Sequence, residues 1–234
     1  MKKWSVVIIL ALASFVMVLD STVMNVSIST VVKDLDTSVT AMQAAITFYT
    51  LTMAAFMLLG GKLGDIWGRK RALLIGSVIY ACGSLITALS QNFTQLFIGW
   101  SVIEGLGAVL VIPAIAALVA TNYKGTDRVK AYAIIGGVSG AAAAAGPLIG
   151  GYFTTYLSWR YVFAGEVFIM AFVLIFSKYI KDSTVKIKAP KIDIPSFLLS
   201  ASGLVLVVFG MLQSKTWGWV EPRAIPSING QQIA

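Results

Sequence analysis

Gly61-Lys62-Leu63-Gly64-Asp65-Ile66-Trp67-Gly68-Arg69-Lys70-Arg71 is the stretch whose reading decides the fold. Four of its residues are Lys or Arg, and long apolar runs flank it on both sides. Such a segment cannot rest in hydrocarbon. It reads as a short basic turn at a membrane surface, and the excess of Lys and Arg on inner connections places it in the cytoplasm. The orientation of every other segment follows by alternation.

The rest of the chain agrees. Of 234 residues, 58% are apolar and only 12% charged, and the mean hydropathy is +0.85, whereas soluble domains carry about 25% charged residues. Between Arg71 and Lys124 the sole charged side chain is Glu104, a gap long enough for two spanning helices of ~20 residues. A pI near 9.6 raises a nucleic-acid partner, but the basic residues sit in short connections between apolar runs, which fits cytoplasmic anchoring instead. Cys82, alone in the chain, reads as a small buried hydrophobe. With no His present, proton chemistry falls to carboxylates.

Hydropathy divides the chain into seven helices, at 5–28, 41–63, 72–89, 96–120, 131–156, 161–180 and 196–212. Met1-Lys2-Lys3 and the apolar run after it resemble a signal peptide, but the run continues past any cleavage point and reads as an uncleaved first helix. Fourteen basic residues fall on one side (Lys2, Lys3, Lys62, Arg69, Lys70, Arg71, Lys124, Arg128, Lys130, Lys178, Lys181, Lys186, Lys188, Lys191). Four fall on the other (Lys33, Arg160, Lys215, Arg223). The N-terminus is therefore expected in the cytoplasm of a multi-pass plasma or inner membrane protein. Residues 1–181 form a six-helix unit, 182–195 a cytoplasmic linker, 196–213 a seventh transmembrane helix, and 214–234 an outer-face tail that reads as truncated. Trp217-Gly218-Trp219 suits the outer aromatic belt. No nucleotide loop, metal-ligand cluster or catalytic triad stands out, so no enzyme activity and no cofactor are expected.

Polar groups in hydrocarbon carry the mechanism, because each costs roughly 2.5–3.5 kcal/mol unless paired or hydrated. Asp20, Glu104 and Glu166 qualify. From the helix rise, Asp20 and Glu166 lie ~8 Å and Glu104 ~12 Å below the outer surface. Ser21, Thr22 and Asn25 beside Asp20 read as the wall of a water-filled cavity, which makes Asp20, Glu104, Asn25 and Thr22 the candidate proton- and substrate-coupling residues. Nothing polar accompanies Glu166 along its helix, and it reads as a packing residue. In the fifth helix Gly136, Gly140 and Ala144 recur every four residues, a small-residue stripe that admits close backbone approach. Gly146-Pro147, followed by Gly150-Gly151, removes a helix hydrogen bond and reads as a hinge.

These residues resemble a known family. Gly61-x-Leu63-x-Asp65-x-x-Gly68-Arg69-Lys70 is similar to the signature loop between helices two and three of the major facilitator superfamily. Gly136 to Gly151 resembles its antiporter motif in helix five. Leu19-Asp20-x-Thr22-Val23-x-Asn25-Val26 and Trp159-Arg160-Tyr161-Val162-Phe163 resemble motifs of its fourteen-helix drug:proton antiporters. The resemblance implies an all-α membrane bundle: the six-helix N-terminal half of a carrier plus one extra helix, with a C-terminal half as missing partner. It implies proton-driven efflux of lipophilic or cationic small molecules, with protons and substrate competing at the buried acids. Gly61, Asp65, Gly68, Arg69 and Lys70 would form a cytoplasmic gate, and Gly136, Gly140, Gly146, Pro147, Gly150 and Gly151 the hinge. Two departures stand out. The family's helix-four motif carries an Arg three residues before a Gln-Gly pair, where this chain has Ser101, Glu104 and Gly105. Ser29 replaces the Pro that closes the first-helix motif. A nutrient importer or symporter, a transport-inactive membrane fragment and a half-transporter acting as a dimer remain the alternatives.

Overall fold

The computed structural model describes residues 4–182, 194–217, 227–228 and 231–232. Seven helices make up almost all of it: α1 Ser5–Asp34, α2 Val39–Trp67, α3 Arg69–Ala88, α4 Phe93–Asn122, α5 Gly125–Tyr156, α6 Arg160–Tyr179 and α7 Ile194–Trp217. The first six are long and apolar enough to cross a membrane, whereas the apolar stretch of α7, Pro195–Met211, is shorter. Ser227–Ile228 pairs antiparallel with Gln231–Gln232. The linker expected at 182–195 and the tail at 214–234 lie mostly outside the described residues, as does most of the Trp217-Gly218-Trp219 belt.

Helices outrun their apolar cores, because polar first and last turns at the membrane surface stay helical. α1 continues six residues past Ile28, and α7 reaches Trp217. The largest correction concerns the basic stretch that organises the sequence. It is no loop: Gly61 to Trp67 finish α2, Arg69 to Arg71 begin α3, and Gly68 alone joins them. Its φ of +99° turns the chain in one residue, a conformation that costs an L-side chain dearly. Asp182 leaves no room for one either, since a Cβ on Gly68 would stand 2.7 Å from Asp182 Oδ2. Side-chain caps set other starts. Ser38 Oγ accepts from Ala41 N, and Asn92 Oδ1 accepts from Gln95 N, both at 3.0 Å.

α3 and α4 pack closely at glycines. Cβ atoms added at Gly83 and Gly107 would approach Glu104 N and Tyr80 N to 2.6 Å, and one at Gly76 would approach Leu110 Cβ to 2.8 Å. These glycines make the close-contact seam that the sequence reading assigned to the fifth helix. On α5 the stripe is open: among the described residues, no atom outside the helix's own nearby backbone lies within 4 Å of a Cβ at Gly136 or Gly140. The other face of α5 packs on α1, with Gly146 against Thr22 and Gly150 against Val23. α5 runs unbroken through Pro147. Cys82 is exposed on the outer side of α3, not buried.

Each end of the bundle is tied. At one end, Arg160 pairs with Asp34 and donates to the Ser90 carbonyl at 2.7 and 3.1 Å, while Trp159 Nε1 donates to Asp34 at 3.0 Å. This joins α1, the α3–α4 turn and α6. At the other end, Asn122 exchanges two hydrogen bonds with the Lys181 backbone, and Asp182 accepts from Lys70 N at 3.3 Å.

Candidate functional site

Three helices, α1, α4 and α6, bring Asp20, Glu104 and Glu166 into one pocket, with a carboxylate oxygen from each lying within 4.8 Å of the others. All three are 0–1% exposed. Donors from neighbouring helices orient two of them. Trp100 Nε1 donates to Asp20 Oδ1 at 2.7 Å. Tyr80 OH and Ser84 Oγ, one turn apart on α3, donate to Glu166 Oε2 at 3.4 and 3.2 Å. Trp100 is itself fixed by stacking on Tyr49 of α2, with ring centroids 5.0 Å apart and planes 7° from parallel. Asp20 Oδ2, Glu166 Oε1 and both oxygens of Glu104 find no partner among the described residues.

Local geometry explains how α4 supplies two of these groups. Its stretch Phe97–Glu104 is wound as a π-helix, a form concentrated at functional sites. Trp100, Ser101 and Glu104 on it all point inward and are buried, and Ser101 Oγ donates to the Ala45 carbonyl of α2 at 3.0 Å. Gly83 admits the Glu104 backbone to α3, which places Glu104 beside the face that carries Tyr80 and Ser84.

The apolar stretches of this chain's first six helices carry no Lys, Arg or His to neutralise the pocket. The sequence has no basic residue between Lys3 and Lys33, Lys33 and Lys62, Arg71 and Lys124, Lys130 and Arg160, or Arg160 and Lys178. Two carboxylate charges within 4.8 Å of each other repel by at least about 3 kcal/mol at an effective dielectric constant of ~20. Charges on more than one of these acids would therefore be left without a basic partner from these helices.

The sequence reading is corrected here in three ways. Glu166, taken for a packing residue, belongs to the cluster. Its polar company is on α3, where Tyr80 and Ser84 interrupt an apolar run, and that interruption was the available signal. The acids are sealed among helices and do not line an open vestibule. Finally, Asp20 does not share a face with Thr22 and Asn25. Thr22 donates to the Val18 and Leu19 carbonyls and meets Gly146 of α5. Asn25 is exposed and donates to the Ser21 carbonyl at 2.6 Å.

Ser21, next to Asp20 in the chain, borders a second compartment instead. Ser14, Val18 and Ser21 line a cleft of about 330 Å³ together with Met53 of α2, Ile112 and Ile115 of α4, and Tyr132 and Ile135 of α5. Its walls are almost wholly apolar, and its volume is that of a small-molecule pocket. Tyr132 donates to the Ala116 carbonyl at 2.8 Å, and Ser14 shares a 2.8 Å hydrogen bond with Ser139 of α5.

The residues carried over as a gate meet around Gly68. Asp65 and Arg69 pair with each other one turn apart, and Arg69 also donates to the Gly61 carbonyl at 3.0 Å. Lys70 meets Asp182 through its backbone. Of the hinge residues, Gly146 and Gly150 face α1, while Gly136, Gly140 and Gly151 have no neighbour within reach of a Cβ.

Six apolar spans, the Gly68 elbow and the α5 glycines coincide with a match to the family model described as Major Facilitator Superfamily, over residues 10–220. The chain belongs to the major facilitator superfamily. It is a multi-pass membrane protein. It is 33% identical over 95% of its length to the puromycin resistance protein pur8 of Streptomyces alboniger, and covers 44% of that protein. It is 32% identical over 98% of its length to the methylenomycin A resistance protein of Bacillus subtilis, and covers 49% of it. The chain thus spans about half the length of the curated relatives it matches. Among solved structures, a peptide transporter POT in complex with sulfate superposes on 92% of the chain and 47% of its own, with a TM-score of 0.69 and 17% identity. That likeness concerns the fold alone.

Proposed function

We propose that this chain is the N-terminal portion of a proton-coupled exporter of lipophilic, cationic compounds, set in the cell membrane with its N-terminus in the cytoplasm. The observation that carries the proposal is the sealed pocket of three carboxyl groups with no basic residue in the apolar stretches of these helices to neutralise them. Protons taken up from one side and released to the other on such a set drive exchange when helices rock about a midplane site. The apolar cleft beside α1 is the surface on which a lipophilic compound would rest, and Met17 and Met53 give it an adaptable wall. The names of the resistance proteins above support the drug-efflux class, and the charge split between connections supports the orientation.

A second half is part of this reading. The uncovered glycine face of α5 is where it would dock and slide, with Pro147 and its glycines as the flexible point. Gly61, Asp65, Gly68, Arg69 and Lys70 would close the cytoplasmic end against it.

The test is proton-driven efflux by the full-length protein in everted vesicles. Asp20→Asn combined with Glu104→Gln is expected to abolish it. Intact efflux in that double variant overturns the proposal.

A further inference from the structure

From the geometry of the acid pocket we infer that Asp20, Glu104 and Glu166 bind a small dehydrated inorganic cation of the size of Ca²⁺ or Na⁺, in exchange for protons. The inference rests on the reading of this pocket as a working site, and it names an occupant beyond the proton. The donors are all oxygen, since no His or Cys reaches the pocket. That excludes the soft-metal chemistries and selects hard cations.

Hydration then discriminates among these. A carboxylate oxygen from each acid lies within 4.8 Å of the others, close enough for all three to reach one ion held at ~2.4 Å. Mg²⁺ gives up its water reluctantly, and a site sealed among helices favours ions that shed theirs more readily.

A second observation points to a ligand apart from the acidity. Glu104 is fully buried and neither of its oxygens has a hydrogen-bond partner among the described residues. Asp20 and Glu166 each have one oxygen fixed by a donor and the other unpartnered. This is how supporting hydrogen bonds orient carboxylates that ligate. The ionisable groups around the pocket are Asp20 on α1, Tyr49 on α2, Tyr80 on α3, Glu104 on α4 and Glu166 on α6; none is cationic. Binding a cation must therefore release protons from the same carboxyl groups, and affinity must rise with pH.

The experiment is equilibrium binding of radiolabelled Na⁺ and Ca²⁺ to the full-length protein purified in detergent, at about pH 6 and about pH 8, with Mg²⁺ as competitor. Saturable binding of one ion is expected, roughly tenfold or more tighter at the higher pH, resistant to Mg²⁺ and lost in Glu104→Gln. Asp36→Asn, at an exposed position in the α1–α2 connection, should retain it. To separate lost binding from lost fold, thermal stability is measured in parallel: the cation should stabilise the unaltered protein and leave the Gln variant unmoved. Absence of saturable binding at the higher pH, or binding that survives both Glu104→Gln and Glu166→Gln, overturns the inference. Should binding fail while Glu104→Gln still abolishes proton-driven efflux, the exporter reading stands without the cation. If efflux is also insensitive, both fall.

Discussion

Asp20 and Ser21 are neighbours in the chain and inhabit different solvents. Asp20 turns inward to a sealed pocket where acids from α1, α4 and α6 converge and a tryptophan fixes the carboxylate. Ser21 turns outward to an apolar cleft shared by α1, α2, α4 and α5. The one pocket has charge and no access; the other has access and almost no polarity. A single rigid helix forms the partition between them. A proton or ion arriving on the inner face can thus shift the element that shapes the outer face with no direct contact between occupants. The tests below attack that division.

The largest effect is expected at the acids. Asp20→Asn or Glu104→Gln alone should reduce proton-driven efflux to the background of carrier-free vesicles, while Glu166→Gln should do the same if the three act as a set. A Glu166 variant with normal coupling would split the cluster and return that residue to a packing role. Removing one of several like charges relieves repulsion, so these variants should fold at least as stably as the parent, which separates lost coupling from lost structure in a thermal melt.

Second comes the seam that positions Glu104. Gly83→Leu forces a branched side chain into the backbone of α4, and overpacking of this kind costs about 1–3 kcal/mol. The midpoint of thermal unfolding should fall and efflux with it. The equivalent change at Gly140, on the open stripe of α5, should leave the thermal midpoint of this half unmoved.

The sequence showed the membrane class, the seven helices and all three acids, because those features reside in composition and in single residues placed in hydrocarbon. Asp20, Glu104 and Glu166 declared themselves by cost alone. The place of Glu166 beside the other two was not legible, because its partners Tyr80 and Ser84 lie more than eighty residues away on α3, and such convergence is set by packing. The π-wound turn of α4 is likewise silent in a run of apolar residues. Charge drew attention to Gly61–Arg71 and suggested a loop, whereas the single positive φ at Gly68 lets two helices meet end to end. Of the polar residues Ser21, Thr22 and Asn25, read as one cavity wall with Asp20, only Ser21 lines a cleft, and that cleft is apolar and on the other side of α1.

Gly68→Ala tests the elbow and should be the third largest effect. A side chain at positive φ costs about 1–2 kcal/mol, and this one also collides with Asp182. Asp182→Ala removes the collision and the hydrogen bond to Lys70 N together. The double variant should therefore recover part of the loss in thermal stability but none of the backbone strain. Tyr80→Phe should be milder still: losing one donor to Glu166 is worth about 1 kcal/mol, and it should shift the pH profile of efflux without abolishing it.

Asn25→Ala is the gentlest change and the sharpest test of the partition. Asn25 is exposed, and its amide donates only to the Ser21 carbonyl of its own helix. Solvent in the open compartment can take over that carbonyl, so stability should change by no more than about 0.5 kcal/mol. Asn25 holds the carbonyl of Ser21, which lines the cleft, so its loss can alter how a compound seats there, and a shift in the KM for efflux is the expected result. The protons moved per substrate should stay as they are, because the acids on the far face of α1 keep every contact they have. If Asn25→Ala uncoupled transport as fully as Asp20→Asn, the two faces of α1 would share one site, and the division between a sealed charge and an open cleft would be wrong.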